Sequence, residues 1–263
     1  MPESTLSIGR SELMRYIGRE LGYSRDTADW DDRQRTDAED ILASALRQFY
    51  TPPILPNEAT SHRWSFLRPV FSLATKTGVG DYDLPDDFGG IDGQLYYTSD
   101  TVGNGPMVRV GEQWILRCRQ GNSGITGYPT YYAVAAGVSD GDEPQRFTLM
   151  LEPTPDAHYD LKGQYRVNPF ALSENKSYPL GGQPHAETLI SSVICAAHKF
   201  MRDEYQGGAW ADFIEKLRSS VTHDRQEMTA RNLGYAYDTR TQDRDSLRQN
   251  RTLSVTFEGS VLD

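Results

Sequence analysis

The chain has 263 residues, enough for one large domain or two small ones, and 37% of them are hydrophobic. Its formal net charge of −10 argues against a nucleic-acid-binding protein, which needs a basic surface, although an acidic channel would let DNA slide without sticking. Cys118 and Cys195 are too few for a disulfide framework, and no apolar run approaches the roughly 20 residues of a membrane span. We therefore expect a soluble protein that is made in the cytosol.

Two amphipathic helices are predicted near the N-terminus, over Ser7–Leu21 and Thr36–Tyr50. Ser7 is a suitable N-cap for the first helix. In the second helix, Thr36 and Glu39 have the spacing of a capping box, in which each side chain bonds the backbone N–H of the other residue. The apolar stripes are Leu13, Met14, Ile17 and Leu21 in the first helix and Ala38, Ile41, Leu42, Ala45, Leu46 and Phe49 in the second.

From about Trp64 to Val167 the hydrophobic period changes from that of a helix to that of a strand. The predicted strands are Phe66–Ala74, Ile91–Thr98, Met107–Arg117, Thr130–Ala136, Arg146–Glu152 and Tyr159–Val167. Glycine and proline clusters separate them, and no pattern of helical length interrupts them. This arrangement predicts a small antiparallel sandwich or barrel and argues against a parallel βαβ sheet.

Two further helices are predicted towards the C-terminus, over Pro184–Tyr205 and from Ala209 to about Arg231, with Gly207-Gly208 between them. Beyond Val221 the last helix becomes polar, so we expect its final turns to face solvent or another subunit. The chain then stays polar until Leu253–Leu262, which alternates as a strand does.

This polar tether with a strand-like tip predicts an arm that becomes ordered by adding to the sheet edge of a partner. The alternative is a strand that returns to the parent domain. Arg240, Arg244 and Arg248 are four residues apart, so in a helix they would align on one face and could meet an acidic partner. The alternative for these arginines is a solvated charged face.

Together these elements predict an α+β protein. The N- and C-terminal helices would pack as one bundle because each apolar stripe is one-sided. An antiparallel β-sandwich or barrel-like domain would be inserted between the second and third helices, and an extended arm would follow the bundle. The predicted boundaries are residues 1–55 for the N-terminal helical part, 56–172 for the β-rich domain, 173–231 for the C-terminal helical part and 232–263 for the arm.

Two stretches carry a resemblance to a known family. They are LEPTPD at 151–156, followed by YDLKGQYRVNP at 159–169 and Leu-Ser at 172–173, and WSF at 64–66, followed by GDYDLPDDF at 80–88. With the helical N-terminus, they resemble the head-to-tail connector (adaptor) proteins of tailed bacteriophages. The resemblance covers roughly Trp64–Leu217, and its motifs are structural rather than chemical.

The resemblance implies a structural protein of the virion neck that is assembled in the host cytoplasm. It implies a homo-oligomeric ring, commonly of twelve subunits, that joins the portal protein to a tail tube or nozzle protein. Such a ring leads DNA through its lumen without sequence-specific binding, and it involves no membrane. We predict that the arm makes the contact with the portal, through Arg240, Arg244, Arg248, Arg251, Leu253, Val255 and Phe257.

No catalytic constellation is recognisable in the sequence, so we predict a protein that is not an enzyme and that uses no cofactor or metal ion. Asp81, Asp83, Asp86 and Asp87 lie close together, but their spacing is more typical of a solvated turn than of a calcium loop. A hydrolase with paired carboxylates is a weak alternative because the sequence singles out no pair.

A tail-side adhesion or carbohydrate-binding module is the main alternative function. In that case aromatic side chains of the β-rich part would form a platform for sugar rings. The candidates are Trp114, Tyr128, Tyr131 and Tyr132. The helices at both ends of the chain fit this alternative less well, because a binding module seldom needs a separate bundle.

Overall fold

The computed structural model describes residues 4–56, 58–98, 105–121, 124–138, 141, 145–202, 205–228, 255–257 and 260–262. The chain divides into two compact units, Met1–Gln226 and Glu227–Asp263, and each is described by itself. Helices and antiparallel and mixed sheets occur together, so the predicted α+β class is confirmed.

Five α-helices lie within the described residues: α1 Arg10–Leu21, α2 Asp32–Tyr50, α3 Glu112–Gly121, α4 Ala186–Arg202 and α5 Gly208–Met228. The strands there are β1 Val70–Ala74, β2 Asp81–Asp83, β3 Phe88–Tyr97, β4 Val108–Arg109, β5 Thr126–Gly127, β6 Tyr131–Ala136, β7 Phe147–Glu152, β8 Thr154–Pro155, β9 Asp160–Val167, β10 Val255–Phe257 and β11 Ser260–Leu262.

The caps of the first two helices differ from the predicted ones. Helix α1 starts after Gly9, so Ser7 is not its cap. Helix α2 starts four residues before Thr36, because Asp31 and Gln34 already form a capping box, with Asp31 Oδ1 accepting from Gln34 N at 2.7 Å. Thr36 therefore lies inside the helix, where its hydroxyl donates to the Asp32 carbonyl at 2.8 Å, and the predicted Thr36–Glu39 box is wrong.

One hydrophobic core joins α1, α2, α4 and α5. Its largest fully buried side chains are Leu13, Ile17, Phe49, Trp64 and Phe213. The Ser192 hydroxyl on α4 donates to the Ala45 carbonyl on α2 at 2.8 Å, and this hydrogen bond joins the two helices. Gly18 on α1 faces the ring of Trp30, where an added Cβ would overlap the indole. Helices from both ends of the chain thus bury their apolar stripes against each other.

The strands form separate sheets rather than one continuous surface. A three-stranded antiparallel sheet has the order β1-β9-β3, and a four-stranded mixed sheet has the order β2-β7-β6-β4. Strands β5 and β8 form a small parallel pair. The side chains buried in the second core are Leu84, Phe88, Leu95, Met107, Tyr132, Leu149, Leu151 and Leu161, which come from the three- and four-stranded sheets and the loops beside them.

The predicted strand Met107–Arg117 is wrong beyond its first residues. Only Val108–Arg109 is a strand, and α3 follows it, so a helix does interrupt the β-rich part. The error has a physical cause: Val108, Val110, Trp114 and Leu116 alternate as strand residues do. Gly111 separates the strand from the helix, and Ile115 then packs on Ala133 and Met150 of the four-stranded sheet.

Candidate assembly interface

Two of the seven residues proposed for portal contact lie in the described part of the second unit. Val255 and Phe257 are on β10, which pairs antiparallel with β11 in the register Val255 with Leu262 and Phe257 with Ser260. Two antiparallel strands with only two residues between them form a β-hairpin. The single strand predicted over Leu253–Leu262 is therefore two short strands. The other proposed residues, Arg240, Arg244, Arg248, Arg251 and Leu253, lie outside the described residues.

The end of α5 in the first unit is held by a buried carboxylate. Asp224 is 2% exposed. Its Oδ2 atom lies 2.8 Å from His62 Nε2 and accepts from the Ser65 backbone N–H at 3.1 Å. The Ser65 hydroxyl donates to Oδ1 of the same side chain. We call these three residues the Asp224 clamp; it ties α5 to the segment that enters the β-rich part.

The expectation that the turns of α5 beyond Val221 face solvent or another subunit holds for the exposed Thr222, Arg225 and Gln226 but not for Asp224, which is buried. Asp224 lies on the same face of α5 as Leu217 and Val221, and this face is buried. The neighbouring Arg225 makes a 2.8 Å ion pair with Glu58 on the more exposed side of the helix. The sequence does not predict the clamp, because an isolated aspartate that follows a row of apolar residues in a helix is usually solvated.

An aromatic cluster lies directly behind the clamp. Trp64 is 1% exposed, its ring centroid is 4.9 Å from that of Phe49 and 5.3 Å from that of Phe66, and its Nε1–H donates to the Phe49 carbonyl at 2.8 Å. The His185 ring packs edge-on against Trp64 at 5.0 Å. This cluster packs the segment that enters the β-rich part against the helical core.

Burial lowers the pKa of His185 to about 4, because the charged imidazolium would lose its hydration there. The nearby Asp224 carboxylate opposes this shift, while His223 and His62 reinforce it. Within the described residues, the Nδ1 atom of His185 has no hydrogen-bond partner. His185 is therefore a neutral histidine at physiological pH.

Acidification is expected to destabilise the protein through His185. Unfolded, this histidine has a pKa of about 6.5, so below that pH the unfolded chain takes up a proton that the folded chain rejects. The contribution of His185 to the free energy of unfolding is fully present above pH 6.5, and it is lost progressively as the pH drops towards 4. We expect a loss of about 2 kcal/mol between pH 7.5 and pH 5, measured by urea unfolding. His185→Gln should remove that part of the pH dependence, whereas His158→Gln, at an exposed histidine, should keep it. Equal pH dependence in the parent and both variants would contradict the lowered pKa of His185.

The four residues proposed for a sugar platform do not lie together on one surface. The rings of Trp114 and Tyr131 are 4.6 Å apart and inclined by 52°, and Trp114 and Tyr128 are exposed. Tyr132 is 1% exposed and belongs to the core, so the inclusion of Tyr132 is wrong. In alternating strands, two successive tyrosines point to opposite faces, which accounts for this separation.

The acidic cluster near β2 takes part in an ion-pair network. The Arg119 guanidinium on α3 lies 2.8 Å from Asp81 Oδ1 and donates to the carbonyls of Gly80 and Leu151 at 3.2 Å. Hydrogen bonding to Asp81 raises the pKa of Arg119. Asp81 therefore anchors α3 to the four-stranded sheet. Among the described residues, no group of three or more His, Cys, Asp or Glu side chains could hold a metal ion.

The described chain thus combines a helical core and a β-rich part in one compact unit with a short antiparallel strand pair in a second unit. The family model of the SU10 adaptor protein matches residues 10–238. The chain therefore belongs to the SU10 adaptor protein family of phage head-tail adaptors, which makes it a virion component that binds other head or tail proteins.

No curated protein matches the chain. In the described part of the chain, no helix has the length and apolar character needed to cross a bilayer.

Proposed function

We propose that this chain is a head-to-tail adaptor that forms a ring between the portal and the tail and leads DNA through its lumen. The observation that carries the proposal is the family match over residues 10–238, which takes in the helical core, the β-rich part and the start of the C-terminal unit. The working division remains residues 1–55 and 173–231 for the bundle, 56–172 for the inserted domain and 232–263 for the arm.

In this proposal the C-terminal unit provides the attachment to the portal. A two-stranded hairpin is marginal on its own in water, and pairing with the edge of another sheet would stabilise it. Val255 and Phe257 would supply apolar side chains at alternate positions of the added strand. Arg240, Arg244, Arg248 and Arg251 would contact an acidic surface of the portal.

The charge of the chain fits the passage of DNA. A net charge of −10 per subunit, repeated around a ring, would repel the phosphate backbone and disfavour adsorption of DNA to the wall. The tail tube or nozzle protein would bind on the side of the ring away from the portal.

Removing residues 232–263 is expected to abolish binding to the portal. Purified full-length and truncated chains would be compared for co-sedimentation with assembled portal, and circular dichroism would establish that the truncated chain keeps its helices. In the full-length chain, Val255→Asp with Phe257→Asp should weaken binding at least tenfold, because charged side chains would be placed at the pairing strand. Unchanged portal binding by the truncated chain would exclude the arm from the attachment, and unchanged binding by the double aspartate variant would exclude the added strand.

Carbohydrate binding by the β-rich part is the second candidate. It is favoured by the contact between the rings of Trp114 and Tyr131 and by the exposure of Trp114 and Tyr128. The inclination of the two rings and the burial of Tyr132 weigh against a flat platform. A glycan array probed with the full-length chain and with Trp114→Ala tests it: binding that is lost in the variant would support this function over the adaptor ring.

A further inference from the structure

Two sets of exposed apolar side chains lie near opposite ends of α4. Phe200 and Met201 lie in the last turn of the helix and Tyr205 follows it; they are 52%, 52% and 61% exposed, and we call them the C-terminal patch. Residues 170–180, which we call the crossing segment, lie before its N-terminal end. In the crossing segment, Phe170, Tyr178 and Leu180 are 49%, 52% and 43% exposed.

The C-terminal patch borders a groove between α2 and α4. The groove has a volume of about 320 Å³, and Ile41, Ala196, Phe200 and Tyr205 are among the residues that line it. The Lys199 ammonium lies 5.4 Å from the centroid of the Tyr205 ring at its rim. Asp40 and Ser44 also line the groove. A groove that combines apolar and aromatic side chains with a few polar ones has the composition of a protein contact surface.

The crossing segment is held to the helical core by backbone hydrogen bonds at two points. It runs over the start of α1, where Arg10 N–H donates to the Ser177 carbonyl at 2.7 Å, and over the end of α2, where Leu180 N–H donates to the Tyr50 hydroxyl at 2.8 Å. These bonds fix the backbone on both sides of Tyr178. Tyr178 and Leu180 therefore present apolar area at little additional cost in conformational entropy.

We propose that the C-terminal patch of one subunit receives the crossing segment of the next subunit. A ring requires a heterologous contact, in which two different surfaces of the same chain meet, and the helical part carries two such surfaces. Helix α4 has 17 residues and is about 25 Å long, so Leu180 before its start and Met201 in its last turn are too far apart to touch within one chain. The inference rests on the proposed ring and assigns the residues that close it.

The size of the two surfaces is consistent with this contact. Three half-exposed large side chains expose on the order of 300 Å² of mostly apolar area, which is within the range of the largest apolar patch on a typical monomer. Apolar atoms usually contribute about 60% of an interface, so about 300 Å² of apolar area corresponds to a total of about 500 Å² buried on each side. The total of about 1,000 Å² is at the lower limit of specific interfaces, so subunits would associate weakly until a portal gathers them.

Cysteine cross-linking tests the contact directly. Met201→Cys and Leu180→Cys would be combined in a chain that also carries Cys118→Ser, which removes the more accessible natural thiol. A disulfide needs Cα atoms within about 7 Å, so the two new thiols cannot pair within one chain. After assembly on purified portal and mild oxidation, denaturing electrophoresis should show a ladder of covalent multimers, because each subunit is then linked on both sides.

The matched controls are the two single variants, which should give dimers at most. Their thermal unfolding should match the parent because both positions are half exposed. A portal-bound ring without a ladder in the double variant would overturn the contact while leaving the adaptor function intact. Failure of the parent chain to assemble on the portal would instead overturn the proposed function itself.

Discussion

Replacing Asp224 with Ala is expected to lower the free energy of unfolding by about 3–5 kcal/mol. The Asp224 carboxylate accepts from the backbone and hydroxyl of Ser65 and lies 2.8 Å from His62 Nε2, in a place almost without solvent. Removing it would leave these partly buried polar groups without their acceptor. Urea unfolding followed by circular dichroism at pH 7.5 measures the loss.

Two further variants separate the buried carboxylate from a general effect on α5. Asp224→Asn keeps one oxygen acceptor and the side-chain size, so its loss should be smaller than that of the alanine variant. Glu215→Ala removes an exposed carboxylate from the same helix and should change stability by less than about 0.5 kcal/mol. Equal losses for Asp224→Ala and Glu215→Ala would show that the clamp contributes nothing.

Replacing Trp64 with Ala is expected to cost about 3–5 kcal/mol, because it removes a fully buried indole from between Phe49 and Phe66. Trp64→Phe keeps most of the apolar volume but loses the Nε1–H bond to the Phe49 carbonyl, so we expect a loss of about 1–2 kcal/mol. Urea unfolding would measure both variants.

Trp114→Ala is the control for a tryptophan that lies outside the two larger cores. Trp114 is 40% exposed, so its removal should cost less than half as much as the removal of Trp64. We expect Trp64→Ala to lose the most stability, and Trp64→Phe and Trp114→Ala each to lose less. A Trp64→Ala variant as stable as the parent would mean that the aromatic cluster does not hold the β-rich part to the helices.

The helical part of the fold could be predicted because its signals are local. The stripe of Ile41, Leu42 and Phe49 on α2 and that of Phe213 and Leu217 on α5 repeat at helical spacing, and all five side chains are buried. The cap of α2 was placed too late because Thr36 and Glu39 have the same spacing as the functioning pair Asp31 and Gln34. Two overlapping signals of one kind cannot be ranked from the sequence.

Helix α3 could not be predicted because its apolar residues alternate as strand residues do. A helix of ten residues with one fully buried side chain, Ile115, owes its position to the sheet beneath it and to the Arg119–Asp81 ion pair. Both are contacts between residues far apart in the chain. Intrinsic propensity decides little in so short a segment.

The Asp224 clamp was equally hidden. His62 and Ser65 lie 162 and 159 residues before Asp224, and neither a lone histidine nor an aspartate in a polar helix end suggests a buried network. The family resemblance, by contrast, rested on strand-and-turn motifs around β2 and β7–β9. The match over residues 10–238 confirms it.

The mass of the purified protein in the presence and absence of its portal is the most direct test of the adaptor ring. Native mass spectrometry or light scattering would follow the full-length chain alone and after mixing with assembled portal. We predict small species for the chain alone and, with portal, one complex that adds a fixed whole number of subunits arranged as a ring. A chain that stays monomeric and unbound at every portal concentration would contradict the account.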